Sequence, residues 1–178
     1  MGKSGKPLVR SLFNQPVKMV MSFQGAIALT LDAKGRLAIP ARHRGALSAA
    51  LAGREVTAES GGLILTAHPH KCLLLYPEPA WAPIRDRILK APSFETRSAA
   101  LKRVLIGNAR EEAMDSAGRL LVAPELREFA GLERKVWMVG LGSHFELWSD
   151  AGWQAQNAAA VEVLQSAEPP AGFEDFAL

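Results

Sequence analysis

Two short patterns carry the chemistry open to this chain. Asp32-Ala33-Lys34-Gly35-Arg36 runs into Leu37-Ala38-Ile39-Pro40, and Asp115-Ser116-Ala117-Gly118-Arg119 runs into Leu120-Leu121-Val122-Ala123-Pro124. Both read Asp, two residues, Gly, Arg, Leu, then a brief apolar run stopping at Pro. Gly35 and Gly118 can take a positive φ at little steric cost, so the chain can reverse there. Asp32 and Asp115 stand at the head of each turn, where a carboxylate accepts hydrogen bonds from turn N–H groups. Arg36 and Arg119 leave the turn with five donors in a rigid fork. Such a fork has two uses: an internal ion pair with the Asp, or recognition of an anion outside the protein.

Other reactive constellations are weaker. His68, His70 and Cys72 are spaced by two, so a strand would line them on one face, and all three residue types ligate zinc. Pro69 and the lack of a fourth ligand argue against it, and the residues read instead as a buried thiol beside polar-edge histidines. No metal or cofactor is expected. There is no Gly-x-Ser-x-Gly, no phosphate loop and no dinucleotide fingerprint, and nothing pairs the scattered carboxylates, so the chain does not read as an enzyme.

The elements that must position the two turns follow from periodicity. Phe23, Gly25, Ile27, Leu29 and Leu31 alternate with Gln24, Ala26, Ala28 and Thr30, the period of a half-buried strand. After the first turn Leu37–Ile39 is a short strand, and Pro40 opens a helix to about Leu51, stopped by Gly53. Glu55–Glu59 and Leu63–Ala67 read as strands about Gly61-Gly62. Cys72–Tyr76 is a further strand, and Pro79 starts a helix through Trp81, Ile84, Ile88 and Leu89. Ser93 is expected to cap the next helix, with Phe94, Leu101, Val104 and Leu105 on one face and Gly107-Asn108 as the stop. Lys102 and Arg103 are expected to face solvent. Ala109–Met114 leads into the second turn; Leu120–Val122 is the short strand and Pro124–Phe129 a helix stopped by Gly131. Lys135–Val139 and Phe145–Trp148 are strands, and Ser149 or Asp150 caps a last helix through Trp153, Val161 and Leu164.

The likeness between the halves extends past the turns. Tyr76 precedes Trp81 by five residues, as Trp148 precedes Trp153. Asp to Trp is 49 residues in the first copy and 38 in the second. Such a repeat implies two similar units packed about a pseudo-two-fold axis, each too small to bury a good core alone. The recurring Trp81, Trp148 and Trp153 read as core or subunit-interface residues.

Charge is unevenly spread. The net charge of 178 residues is +3, yet residues 1–20 alone carry +4, and six acids with no Lys or Arg follow from Val136 onward. The high pI is therefore largely a property of the leader, and is poor support for nucleic-acid binding by itself. A single cysteine excludes an intramolecular disulfide framework and fits a reducing compartment. The leader lacks the apolar core of a signal peptide, and no apolar run approaches the roughly 18 residues of a bilayer span. A soluble, cytoplasmic chain is expected.

These residues resemble the MraZ family, a bacterial member of the AbrB-like swapped-hairpin group, over about residues 21–165. The resemblance rests on Phe23-Gln24-Gly25, Leu31-Asp32-Ala33-Lys34-Gly35-Arg36-Leu37, Leu73-Leu74-Leu75-Tyr76-Pro77, Leu105-Ile106-Gly107-Asn108-Ala109, Asp115-Ser116-Ala117-Gly118-Arg119-Leu120 and Phe145-Glu146-Leu147-Trp148. It implies an α+β fold: two tandem AbrB-like swapped-hairpin units forming a pseudo-two-fold β-rich core with helices outside. The expected organisation is a flexible basic leader (1–20), a first unit (21–107), a second unit (108–165) and an acidic tail (166–178). It further implies a cytoplasmic, nucleoid-associated homo-oligomeric ring. That ring would bind double-stranded promoter DNA through the Asp-x-x-x-Arg motifs and regulate transcription of the division and cell-wall gene cluster. A ring-forming or interaction module without DNA binding is the alternative.

Local charge ranks the candidate contacts. Residues 21–54 hold Lys34, Arg36, Arg42, Arg44 and Arg54 against Asp32, a local +4, whereas residues 108–135 sum to −1. A phosphate surface wants cations without neighbouring carboxylates. Arg36 is therefore assigned to DNA with Lys34 beside it. Arg119, with Ala117 before it and Glu125 and Glu128 after it, is the weaker candidate. Arg42 and Arg44 are either phosphate contacts or a solvated helix face. Asp32, Gly35, Asp115 and Gly118 are assigned to holding the turns.

Overall fold

The computed structural model describes residues 22–52 and 62–166. The expectations for the leader, the Gly53 stop, the Glu55–Glu59 strand, Gly61 of the Gly61-Gly62 reversal and the acidic tail beyond residue 166 lie outside the described residues, while Gly62 is described and takes φ +68°. Among the described residues there are eight strands: β1 Phe23–Thr30, β2 Arg36–Ala38, β3 Leu63–His68, β4 Cys72–Pro77, β5 Arg110–Glu112, β6 Arg119–Leu121, β7 Lys135–Gly142 and β8 Phe145–Ser149. The helices are α1 Ala41–Ala50, α2 Glu78–Lys90, α3 Thr96–Leu101, α4 Pro124–Phe129 and α5 Asp150–Ser166; a π-helical turn, Lys102–Ile106, continues α3.

Strand order explains the repeat. A six-stranded antiparallel sheet runs β1-β7-β8-β4-β3-β5, and a two-stranded sheet pairs β2 with β6. Exchanging each strand for its counterpart in the other half (β1 with β5, β3 with β7, β4 with β8) reverses that order and returns the same sheet. The pseudo-two-fold axis thus passes between β4 and β8 and between β2 and β6. The first strand of each half pairs with the hairpin of the other: β1 with β7 from Phe23↔Gly142 to Thr30↔Lys135, and β5 with β3. Neither half is a closed sheet by itself, so the halves fold as one body.

Burial follows the strand alternation. One sheet face supplies Leu63, Leu65, Leu73, Leu75, Val136, Met138, Phe145 and Leu147 to a core closed by Leu37, Leu120, Leu47 and Leu126 from the β2–β6 layer, α1 and α4. Leu37 and Leu120 face each other in register and are fully buried at the pseudo-axis. On the opposite face Ile64, Leu74 and Tyr76 pack with Trp81 and Ile88 of α2 and with Leu105. Cys72, Val139 and Trp148 form a third cluster against which Trp137 and Trp153 rest.

Three local expectations need correction. Glu95, not Ser93, caps α3, accepting from the backbone N–H of Arg97 (2.9 Å) and of Ser98 (2.5 Å). A carboxylate there also favours the positive helix start. Phe94 is left fully exposed rather than on the buried face with Leu105. Lys102 does not simply face solvent: its Nζ donates to the Ala91 carbonyl (2.6 Å) and Ser93 Oγ (2.9 Å), tying down the α2–α3 loop. At α5 it is Ser149 that caps, its Oγ accepting from Gly152 N at 3.0 Å. Asp150 is taken up by Trp137 Nε1 at 2.7 Å and Lys135 Nζ at 3.0 Å.

Candidate nucleic-acid interface

The two turns share one hydrogen-bond pattern. In the first, Asp32 Oδ1 accepts from Lys34 N and Arg36 N, both at 2.9 Å. Asp32 Oδ2 accepts from Arg36 Nε at 2.8 Å and pairs with Nη2 at 2.7 Å. In the second, Asp115 Oδ1 accepts from Ala117 N at 3.0 Å and Arg119 N at 2.9 Å, and Oδ2 from Arg119 Nε at 2.8 Å. Gly35 and Gly118 sit at φ +78° and +72°, the left-handed region where a Cβ would be strained. The spacing is therefore explained: the Asp closes the turn through two amides and aligns the Arg leaving it.

The carboxyl chemistry follows. The Arg36 side chain and backbone N–H together hold the Asp32 carboxyl down at about 2. Arg119's backbone N–H, with help from its side chain, lowers Asp115 as well. A depressed carboxylate stabilises the fold above its unfolded value, about 4 for Asp, and that contribution fades as pH falls through the folded value. Melting temperature is thus expected to fall as pH drops from about 4 toward about 2. Asp32→Asn should melt lower than wild type at pH 7 and show a shallower acid dependence. Thermal scans from pH 2 to 7 check this; identical profiles would show that Asp32 does not hold the turn.

Main-chain bonds lock the turns to each other. Ile39 N donates to the Gly118 carbonyl at 3.0 Å, and its counterpart Val122 N donates to the Gly35 carbonyl at 2.8 Å. Arg36 Nη1 also lies 4.0 Å from Asp115 Oδ2, so the first guanidinium reaches the second carboxylate.

The helices then cross over. Arg44, on α1 of the first half, lies across Gly118: a Cβ there would sit 2.2 Å from Arg44 Cδ and 2.4 Å from Nη1. Arg127, on α4 of the second half, lies across Gly35, its Cζ 2.9 Å from the corresponding Cβ position. Both Nε atoms are buried without a hydrogen-bond partner among the described residues. Arg127 also borders a recess with Asp32, Ala33, Glu133 and Arg134, beside the first turn.

This arrangement revises the neighbourhoods read from chain order. Arg44 is half-buried over the second turn, not part of a freely solvated helix face. The second turn thereby gains a cation that belongs to the first half. Glu125, an acidic neighbour of Arg119 in sequence, is paired with Arg110 at 3.3 Å. Lys34 remains exposed on the first turn. Arg42 is exposed, with its Nε on His43 Nε2 at 3.1 Å. His43 itself is buried edge-on to Phe145, which lowers its pKa. Arg127 was missed by sequence reasoning. The signal existed: counting from each motif Arg, Arg127 is the eighth residue on, as Arg44 is.

The histidine–cysteine constellation does not assemble. Cys72 is fully buried and its thiol is pushed up to about 12, chiefly by burial. Among the described residues no three His, Cys, Asp or Glu side chains converge as a metal site, and no helix is long and apolar enough to cross a membrane.

The paired turns coincide with a family pattern that occurs twice in the chain. A family model described as "MraZ protein, putative antitoxin-like" matches residues 22–104 and again 105–171. The chain belongs to the MraZ family. Among MraZ relatives, a protein named Transcriptional regulator MraZ from Dechloromonas aromatica (strain RCB) is 62% identical over 156 residues, covering 88% of this chain and 99% of that one. Proteins of the same name from Aromatoleum aromaticum and Azoarcus sp. (strain BH72) are 59% and 53% identical, each over 88% of this chain and 99% of theirs. Each half of the chain thus carries one MraZ match and one Asp-x-x-Gly-Arg turn.

Proposed function

We propose that this MraZ-family chain is a transcriptional regulator, not an enzyme. It binds double-stranded promoter DNA as a cytoplasmic, nucleoid-associated homo-oligomeric ring, acting at the division and cell-wall gene cluster. The relatives' shared name supports the regulatory role. The observation that carries DNA binding is the pair of cross-braced turns. They lie side by side on the β2–β6 layer, with Lys34, Arg36, Arg44, Arg119 and Arg127 gathered on them from both halves and Arg42 exposed on α1. A rigid, repeated set of guanidinium groups suits phosphates at fixed spacing and base edges in the major groove. In this reading Arg36 is the principal base-reading residue and Lys34, Arg42 and Arg44 attract phosphate. Arg119 plays the lesser counterpart of Arg36, while Asp32, Gly35, Asp115 and Gly118 hold the scaffold.

One observation favours the other reading, a ring-forming module without DNA binding: each motif Arg already has a carboxylate partner. Net attraction must then come from Lys34, Arg42, Arg44 and Arg127. Affinity for the protein's own upstream DNA, measured against salt, decides between them. Each neutralised phosphate adds about 0.9 to the slope of log affinity against log salt. A steep decline is expected. A flat slope, or no binding at low salt, would leave the structural module as the function.

A further inference from the structure

Each turn glycine is held from the opposite half of the chain. Gly35 accepts from Val122 N at 2.8 Å through its carbonyl, and the side where a Cβ would stand is covered by the Arg127 guanidinium. Gly118 accepts from Ile39 N at 3.0 Å, and its bare side is covered by Arg44. Arg44 Nη1 also donates to the neighbouring Ala117 carbonyl at 3.5 Å.

These restraints act at the loosest joint of each motif. A glycine has more backbone freedom to lose than any other residue. Gly35 immediately precedes Arg36, and Gly118 precedes Arg119, so a swing about either glycine redirects the guanidinium that follows it. Asp32 and Asp115 hold the amides on each side of the glycine, those of Lys34 and Arg36 and of Ala117 and Arg119. The hold on the glycine's bare side comes from the other half.

The covering arginines are firmly seated. On α1, Arg44 lies between buried His43 and Leu47; on α4, Arg127 lies between buried Leu126 and Ala130. Both arginines are half-buried. Taking a guanidinium partly out of water costs free energy, and an apolar side chain would cover a glycine at less cost. Yet an Arg stands eight residues after the motif Arg in each half. That choice suits a task needing a rigid plane against bare backbone and a charge near the surface.

We infer that Arg127 and Arg44 are positioning residues for DNA reading and act across the halves: Arg127 aims Arg36, and Arg44 aims Arg119. The inference rests on the DNA-binding reading above and deepens it. The charge of each still draws phosphate, whereas the aiming also needs the plane. With the glycine pinned before DNA arrives, less freedom is lost on binding. Each reading turn is a composite of both halves, and a substitution on one half's helix is felt in the other half's motif.

Arg127→Lys and Arg44→Lys keep the charge and remove the plane. Light scattering and melting establish the wild-type mass and fold; Arg127→Gln and Arg44→Gln, read by exchange, replace any Lys variant that fails to fold. Amide exchange, which needs no DNA, reads the bracing. Arg127→Lys should quicken exchange at Lys34 and Arg36 and spare Ala117 and Arg119; Arg44→Lys should do the reverse. Titrations with upstream DNA and with a scrambled duplex of equal length read the aiming. Arg127→Lys should lower the preference for upstream DNA about tenfold, the scale of one impaired base contact. Its salt slope and its binding to the scrambled duplex should not change, because no cation is lost. Arg44→Lys should lower the preference less. Combined with Arg36→Lys, which has already lost its fork, Arg127→Lys should do little further harm; combined with Arg119→Lys it should do its full harm. Exchange that quickens in the substituted half, or equally in both, would overturn the crossed bracing. Crossed exchange with a wild-type preference, equal loss on both duplexes, or full additivity with Arg36→Lys would overturn the aiming. A wild-type chain that binds no upstream DNA at low salt would instead overturn the DNA reading itself, and exchange alone would then judge the bracing.

Discussion

Arg36→Ala is expected to abolish binding to the upstream DNA in an otherwise intact oligomer, while Arg119→Ala weakens it by less. Chain neighbours suggested this inequality, with Lys34 beside Arg36 and Glu125 and Glu128 after Arg119. The fold changes the grounds for it. Glu125 is occupied by Arg110, and Arg44 has crossed over to the second turn. What still distinguishes Arg36 is its reach. It holds Asp32 through Nε and Nη2 and extends Nη1 toward Asp115, whereas Arg119 grips Asp115 alone. Removing Arg36 strips Asp32 of its counter-charge and leaves Asp115, still held by Arg119, with one cation fewer nearby, so the Asp32 carboxylate turns against an approaching phosphate. Removing Arg119 leaves the Asp32–Arg36 pair in place. A lost bidentate base contact costs about 1–3 kcal/mol, and the loss multiplies across copies bound to one DNA. Arg36→Lys keeps the charge without the fork and should fall between wild type and Arg36→Ala. Titrations with labelled upstream DNA, after light scattering has shown the wild-type mass, give the comparison. Equal losses for Arg36→Ala and Arg119→Ala would show that the reach across to Asp115 is inconsequential.

The sequence made legible what is decided within a few residues. Asp32 and Gly35 prescribe their own turn, because the Asp carboxylate accepts amides two and four residues on and the Gly takes the φ that no side chain favours. Strand alternation located the apolar faces. Contacts made between halves were another matter. Nothing local to Arg127 says that its side chain will lie over Gly35, and nothing near Arg44 points to Gly118. That exchange follows from β1 pairing with β7 and β5 with β3, long-range register that the swapped-hairpin resemblance implied and periodicity could not. The misreading of Arg119's surroundings came from the same source, since distance along the chain stood in for distance in space. The Ser93 error had a different origin. Ser93 and Glu95 are both able to cap, and the choice fell to Lys102, which takes the Ser93 hydroxyl from eight residues beyond Phe94.

Gly140→Ala should be strongly disruptive, and its effect should appear in the half that does not contain it. Gly140 sits on β7 opposite Gly25 of β1, with Phe145 of β8 on its other side. A Cβ there would lie 2.6 Å from Gln24 N and 2.6 Å from the Phe23 carbonyl carbon, both main-chain atoms that no rotamer change can move. β1 would have to separate from its pairing strand within the sheet, and Phe23, nearly buried with its ring 4.3 Å from that of Phe145, would be pulled from the core. Forced overpacking of this kind costs about 1–3 kcal/mol. Because β1 runs directly into Leu31 and Asp32, the strain should reach the first turn, though the substitution lies in the second half. Amide exchange should accelerate along β1 and at Lys34 and Arg36 more than at Ala117 and Arg119. Gly45→Ala is the contrasting control. Gly45 is helical and exposed, with nothing within 4 Å of its Cβ position, so the same methyl should stabilise by about 0.4–1 kcal/mol through the unfolded chain. If Gly140→Ala melted as high as wild type, or loosened both turns equally, the exchanged β1–β7 pairing would not be what holds the first turn in place.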